Sequence, residues 1–122
     1  TYRTLRLSWP FGIDLVFGNN ERERSLFRKM TAGFANTTLH DDAGVLELDG
    51  RRIYITHMPE RAQGALAAGR FDAVFFGHTH QAFNRACGPT LVANPGEITA
   101  RGGSPSFGIY DTRTNTVDIR RF

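Results

Sequence analysis

Four residues with metal-binding side chains lie just beyond the ends of short apolar runs in this sequence of 122 residues. Neutral imidazole suits zinc, iron and nickel, and an amide oxygen suits harder ions such as manganese. Open sheets bind ligands beyond the carboxyl ends of their strands, so side chains in these places can converge on one cleft. The four residues are Asn19, His57, His78 and His80. Their pattern predicts a metal centre.

Each of these residues has an ordinary structural interpretation when it is taken alone. A single histidine such as His57 is usually a surface or core residue, and the Gly-Asn-Asn segment at 18–20 is most often a turn. The Gly-His-Thr-His segment at 77–80 is more informative, because Gly77 has no side chain and lets the backbone turn sharply before two imidazoles. The joint pattern favours metal binding.

Strands are predicted where short apolar runs are bounded by glycine, asparagine, aspartate and proline. The Asp49-Gly50 pair between two of these runs predicts a tight hairpin turn. The tail at residues 106–122 predicts a second hairpin that turns near Asn115. The other predicted strands cover residues 13–17, 45–49, 52–56, 73–76 and 91–93.

Two helices are predicted between the strands. The helix at residues 21–30 has acidic residues early and basic residues late, as the helix dipole favours. The helix at residues 59–69 begins with proline, which is favoured in the first turn. Together these elements predict an α/β (α+β layered) fold, a β-sandwich flanked by helices, as a single domain over residues 1–122.

The composition sets limits on compartment and partners. The formal net charge of +3 is small. The basic residues of the chain are arginines apart from Lys29, but we do not expect a nucleic-acid partner. A basic nucleic-acid-binding module is therefore the weakest alternative. No apolar run is long enough to span a membrane, and a single cysteine, Cys87, gives no internal disulfide. We expect a cytoplasmic protein without a membrane partner.

Four motifs in order resemble the last blocks of the calcineurin-like metallophosphoesterases, in their small bacterial and archaeal phosphodiesterase branch. They are Phe-Gly-Asn-Asn-Glu at 17–21, Thr-His-Met at 56–58, Phe-Gly-His-Thr-His at 76–80 and Asn-Pro-Gly at 94–96. The resemblance spans nearly the whole chain. It implies two packed β-sheets flanked by helices, and a centre of two divalent metal ions that hydrolyses small phosphate esters through a metal-activated water.

The resemblance also implies roles for single residues. Asn19, His57 and His78 would hold one metal ion, and His80 would help to hold the other. Manganese is the expected metal, with nickel, iron(II), zinc and cobalt as alternatives. Many family members carry a histidine directly after the ligand asparagine.

Two asparagines complete the predicted site. Asn20 directly follows the ligand asparagine, at the position where many family members carry a histidine. It is the expected catalytic residue, with a hydrogen-bonding role. Asn20 and Asn94 are the expected substrate-binding residues. The usual small residue after Asn-Pro-Gly is Glu97 here, and we expect it to be structural.

The sequence departs from the family pattern at its start. No aspartate is followed by x-His and none follows a glycine, so the first two metal-binding blocks of the family are not found. We therefore expect an N-terminally incomplete domain with little activity of its own. An exposed sheet edge in such a domain predicts a homo-oligomer. The alternative function is a non-catalytic protein-interaction scaffold, as in the retromer subunit that shares this architecture.

Overall fold

The computed structural model describes residues 12–18, 23–33, 36–98 and 104–122. These residues form nine strands and two helices. The strands are β1 (Ile13–Leu15), β2 (Thr37–Leu39), β3 (Ala43–Leu48), β4 (Arg51–Thr56), β5 (Ala73–Phe75), β6 (Phe83–Cys87), β7 (Thr90–Asn94), β8 (Ser106–Asp111) and β9 (Thr116–Arg121). The helices are α1 (Arg24–Thr31) and α2 (Pro59–Ala68).

A five-stranded mixed sheet in the order β3-β4-β5-β7-β6 is the centre of the fold. Strands β4, β5 and β7 are parallel, and the antiparallel strands β3 and β6 flank them. Ile53 of β4 is in register with Ala73 of β5, which is in register with Leu91 of β7. Because the three parallel strands end at the same edge, the loops that follow them meet there.

The two faces of this sheet are covered by different elements. On one face the cluster of Ile53, Ala73 and Leu91 packs against Tyr110 of β8 and Val117 of β9. On the other face Ala62 and Ala65 of α2 pack against Val74, whose side chain is fully buried. Alternate residues of β4 and β5 thus face the β8-β9 hairpin and the helix in turn. The predicted layered α/β fold is confirmed.

A second unit consists of β1, α1 and β2, with the two strands parallel. Phe17, which follows β1, is 4% exposed and meets the ring of Phe27 of α1 edge-to-face at 6.1 Å. Its backbone N–H donates to the carbonyl oxygen of Asp41 at 2.6 Å. These contacts direct the end of β1 toward the start of β3.

Local signals explain which elements were predicted well. Asp49 and Gly50 have φ of 51° and 79° and form the expected hairpin turn, and α2 ends at Gly69 with φ of 68°. Helix α1 begins at Arg24, later than predicted. Strands β2 and β6 were not predicted, because short polar edge strands lack an apolar pattern. No helix among the described residues is long and apolar enough to cross a membrane.

Candidate metal centre

His57 and His78 lie side by side where β4 and β5 end. Nε2 of His57 is 3.3 Å from Nδ1 of His78, and the two rings are edge-to-face with centroids 5.3 Å apart. The backbone N–H of Gly77 donates to the carbonyl oxygen of His57 at 3.1 Å and ties the two loops together. The predicted convergence of these two strand ends is present in the structure.

Glycines make room for the His57 ring on two sides. A Cβ atom at Gly77 would lie 3.2 Å from Nδ1 of His57, and one at Gly18 would lie 3.6 Å from the same atom. The end of β1 therefore reaches the ring of His57 as well. Asn19 and Asn20, the predicted ligand and catalytic residue that follow Gly18, lie outside the described residues.

The separation of the two ring nitrogens tests whether this pair fits a metal ion. Two imidazole nitrogens bound at about 2.0–2.1 Å to one tetrahedral ion lie about 3.3–3.4 Å apart. The observed 3.3 Å suits such a pair, and it is also within the range of a hydrogen bond between the two rings. The separation is therefore compatible with two ligands of a single ion.

The electrostatics of His57 favour the protonation state that binds metal. Partial burial lowers the pKa of His57, and the nearby imidazoles of His78 and His80 lower it further. A lowered pKa means that the neutral ring, which has a free lone pair to donate, dominates at neutral pH. His80 is thus near enough to act on His57 electrostatically.

The loop with the second and third histidines has an unusual backbone. His78 and His80 have φ of 71° and 62°, and the N–H of Thr79 donates to the carbonyl oxygen of Gly77 at 2.9 Å, closing a three-residue turn around His78. Positive φ is uncommon for residues other than glycine, and each such residue costs about 1–3 kcal/mol. Surrounding contacts must hold this loop in shape.

Asn94 at the end of β7 supplies these contacts. Its side chain is fully buried, and its amide nitrogen donates to the carbonyl oxygen of Gly77 at 3.2 Å and to the Thr79 hydroxyl at 3.0 Å. Its amide oxygen accepts from the N–H of Gly96 at 2.9 Å. The polar atoms of Asn94 thus contact the histidine loop and its own turn, and substrate binding by Asn94 stays a prediction.

His80 contacts a residue for which the sequence predicted no partner. Nδ1 of His80 lies 2.6 Å from Oε2 of Glu97, whose side chain is only 10% exposed. Glu97 lies in the loop after β7, and no local pattern in the sequence relates it to His80. Only the parallel arrangement of β5 and β7 brings the two loops together.

Not every histidine joins this site. Nε2 of His40 is paired with Asp14 at 2.8 Å, and the His40 ring packs on Gly44. Among the described residues, no group of three histidine, cysteine, aspartate or glutamate side chains is close enough to hold one ion. A complete centre therefore needs a ligand of another type or a residue outside the described ranges.

The profile of the calcineurin-like phosphoesterase superfamily domain matches residues 2–115. The chain belongs to this family. Its motifs had indicated this relationship, and the resemblance is confirmed. A phosphodiesterase of Methanocaldococcus jannaschii is 32% identical over 100 residues, which are 80% of this chain and 60% of the relative. The chain thus spans less than two thirds of that relative.

Solved structures give the same fold. An archaeal phosphodiesterase, 29% identical, superposes with a TM-score of 0.81 over 91% of this chain and 69% of its own. Zinc-bound Vps29 of Entamoeba histolytica, 16% identical, has a TM-score of 0.55 over 90% of this chain and 81% of its own. The first similarity agrees with the small archaeal and bacterial branch, and the second concerns the fold alone.

Proposed function

We propose that this chain is part of a metal-dependent phosphoesterase that hydrolyses small phosphate esters, phosphodiesters in particular. The observation that carries the proposal is the 3.3 Å separation between Nε2 of His57 and Nδ1 of His78, which suits two ligands of one ion. Membership of the calcineurin-like phosphoesterase superfamily and the similarity to two phosphodiesterases support this chemistry.

The metal ligands in this proposal are the four residues of the sequence pattern. Asn19, His57 and His78 hold one divalent ion, and His80 contributes to a second. Divalent ions in such a centre supply Lewis-acid stabilisation of the charge that develops at phosphorus. Manganese remains our first choice, because an amide oxygen next to imidazoles suits it; a zinc-bound structure of the same fold supports zinc as the main alternative.

A cleft beside His57 supports an anionic substrate. It adjoins the His57 ring through Gly18, but none of the three site histidines lines it. Its lining consists of Phe17, Gly18, Arg24, Asp42, Met58 and Arg61. Arg24 is neutralised by Asp42 at 2.9 Å, so Arg61 supplies the positive charge that remains. A guanidinium binds phosphate oxygens through two parallel hydrogen bonds. We propose that Arg61 contacts the substrate, together with Asn20.

Hydrolysis of an aryl phosphodiester in the presence of Mn²⁺ tests the proposal. We expect metal-dependent release of the aryl alcohol by the protein and its loss in His78→Ala, with His40→Ala as a control because His40 is paired with Asp14. Activity that survives in His78→Ala, or that does not depend on metal, would contradict the proposal. We propose that this chain alone is weakly active, because the first two metal-binding blocks of the family are not found in it.

A second candidate is a non-catalytic interaction scaffold. Vps29 proteins share this fold, and the β8-β9 hairpin exposes Phe107 and Ile109 next to the mostly exposed ring of Phe122. Exposed apolar groups of this kind often mark protein contacts. Absence of metal binding together with binding of a protein through this hairpin would favour the scaffold.

Self-association and location complete the proposal. Strand β1 pairs with β2 among the described strands, and an open edge of such a small sheet would favour pairing with a strand from a second copy. We propose a homo-oligomer formed in this way, and a single monomeric mass in light scattering at high concentration would contradict it. The cytoplasm is the proposed location, as for most proteins without disulfides.

A further inference from the structure

We infer that Glu97 is a positioning residue that orients the His80 ring, so that Nε2 of His80 is the nitrogen presented to a divalent metal ion. The inference rests on the proposed function, because it assigns a role within the same metal centre. It concerns a residue at which this chain differs from the usual small residue after Asn-Pro-Gly.

The contact between the two side chains has the geometry of a hydrogen bond. Nδ1 of His80 lies 2.6 Å from Oε2 of Glu97. Two ligands of a single ion lie about 2.9–3.4 Å apart for octahedral to tetrahedral angles at usual bond lengths. The 3.3 Å between His57 and His78 falls in that range, and 2.6 Å does not. Glu97 therefore contacts the histidine and does not share an ion with Nδ1 of His80.

The hydrogen bond decides which nitrogen of His80 is available. A neutral imidazole has one N–H donor and one acceptor nitrogen, and a carboxylate can only accept. Facing Glu97, Nδ1 of His80 carries the hydrogen, so the lone pair is on Nε2. Metal-binding histidines commonly donate their second N–H to a carboxylate, which fixes the tautomer and the direction of the ring.

Glu97 is itself held in place by the fold. Its carbonyl oxygen accepts from the N–H of Ser106 in β8 at 2.8 Å, and the Ser106 hydroxyl donates to the carbonyl oxygen of Pro95 at 2.8 Å. The Glu97 side chain is 10% exposed, whereas that of His80 is 48% exposed. A mostly buried carboxylate on an anchored backbone thus restrains a ring that solvent would otherwise leave free to rotate.

The backbone of His80 increases the need for such a restraint. His80 has φ of 62°, so the loop is strained at the residue whose ring must be directed. Asn94 holds Gly77 and Thr79 but makes no hydrogen bond to His80 in the described residues. Glu97 is the contact that extends this support to the last histidine of the loop.

Nuclear magnetic resonance of the His80 ring nitrogens in the metal-free protein tests the contact directly. At a pH where the ring is neutral, we expect the Nδ1–H tautomer in the wild type and in Glu97→Gln, whose amide oxygen still accepts. Glu97→Ala and Glu97→Asp, which withdraws the carboxylate, should shift the ring toward Nε2–H. Glu47→Ala, at an exposed glutamate of β3, is the matched control. A wild-type ring in the Nε2–H form would overturn the inference.

Calorimetry with Mn²⁺ tests the consequence for the metal. Loss of an outer hydrogen-bonding partner weakens metal binding by about 10- to 100-fold. We expect this loss in Glu97→Ala and Glu97→Asp, and recovery in Glu97→Gln, at the ion to which His80 contributes, and His80→Ala identifies the Mn²⁺ binding step that belongs to that ion. If Glu97→Ala and Glu97→Asp both bind Mn²⁺ with wild-type affinity, the role of Glu97 is overturned and the proposed metal centre remains intact. A wild-type chain that keeps the Nδ1–H tautomer but binds no Mn²⁺ would overturn the proposed function, and the role of Glu97 with it.

Discussion

The buried amide nitrogen of Asn94 donates to the Thr79 hydroxyl at 3.0 Å and to the carbonyl oxygen of Gly77 at 3.2 Å. Strand β7 thereby holds the histidine loop that follows β5. The positive φ angles of His78 and His80 are maintained by this contact and by the contact from Glu97. The shape of the histidine loop therefore depends on a fully buried residue of a neighbouring strand.

Replacing Asn94 by alanine should destabilise the protein and weaken its metal site. The change leaves buried hydrogen-bonding partners unsatisfied, which costs about 1–3 kcal/mol of unfolding free energy. The loop can then relax away from the strained backbone of His78. Urea denaturation and Mn²⁺ calorimetry measure the two effects, and unchanged values in both would contradict the role given to Asn94.

Replacing Gly77 by alanine should disturb His57 without much effect on the fold. The new Cβ atom would lie 3.2 Å from Nδ1 of His57, so the ring must shift by some tenths of an ångström. Metal sites tolerate distance errors of only about 0.2 Å, so we expect weaker Mn²⁺ binding. Gly64→Ala is the matched control, since a Cβ atom there meets nothing within 4 Å and alanine favours the helix α2. Equal affinities in the two variants would argue against a site at His57.

The stability of the metal-free protein should depend on pH through His57. Burial and the neighbouring imidazoles of His78 and His80 lower its pKa in the folded state, so the unfolded chain binds the proton more readily. The neutral His57 ring therefore contributes its full stabilisation above a pH of about 6.5, which is the pKa of histidine in the unfolded chain. This contribution is lost as the pH falls below that value. Urea denaturation between pH 5 and 8 should show this loss, and His57→Gln should reduce the slope. A slope that is the same in His57→Gln would contradict this prediction.

Replacing Arg61 by alanine should weaken substrate binding more than turnover. Arg61 lines the cleft beside His57. Asp42, which also lines this cleft, is paired with Arg24, so the charge of Arg61 is not balanced by it. Loss of a charged hydrogen bond to phosphate corresponds to about 1.5–3 kcal/mol, or roughly a tenfold or larger rise in KM. Steady-state kinetics with an aryl phosphodiester measure the change, with Arg70→Ala at an exposed position as the control. An unchanged KM would remove Arg61 from the substrate site.

Much of the fold could be predicted because its signals are local. The Asp49-Gly50 turn and the helix between Pro59 and Gly69 depend on a few adjacent residues, and His57 and His78 follow parallel strands that must end at one edge. The polar strand β6 gave no such signal.

The supporting contacts of the site could not be predicted in this way. The contact between Glu97 and His80 joins two loops through tertiary structure, and no local pattern in the sequence marks His78 for a positive φ. The roles of Asn19 and Asn20 stay predictions, since these residues lie outside the described ranges.

We propose that His57 and His78 hold one metal ion. Calorimetric titration of the purified, metal-free chain with Mn²⁺ tests this most directly, with His78→Ala and the control His40→Ala measured alongside. We expect binding by the wild type and by His40→Ala, and a loss of more than about 100-fold in His78→Ala, beyond the effect of outer contacts. No binding by the wild type, or equal affinity in His78→Ala, would contradict it.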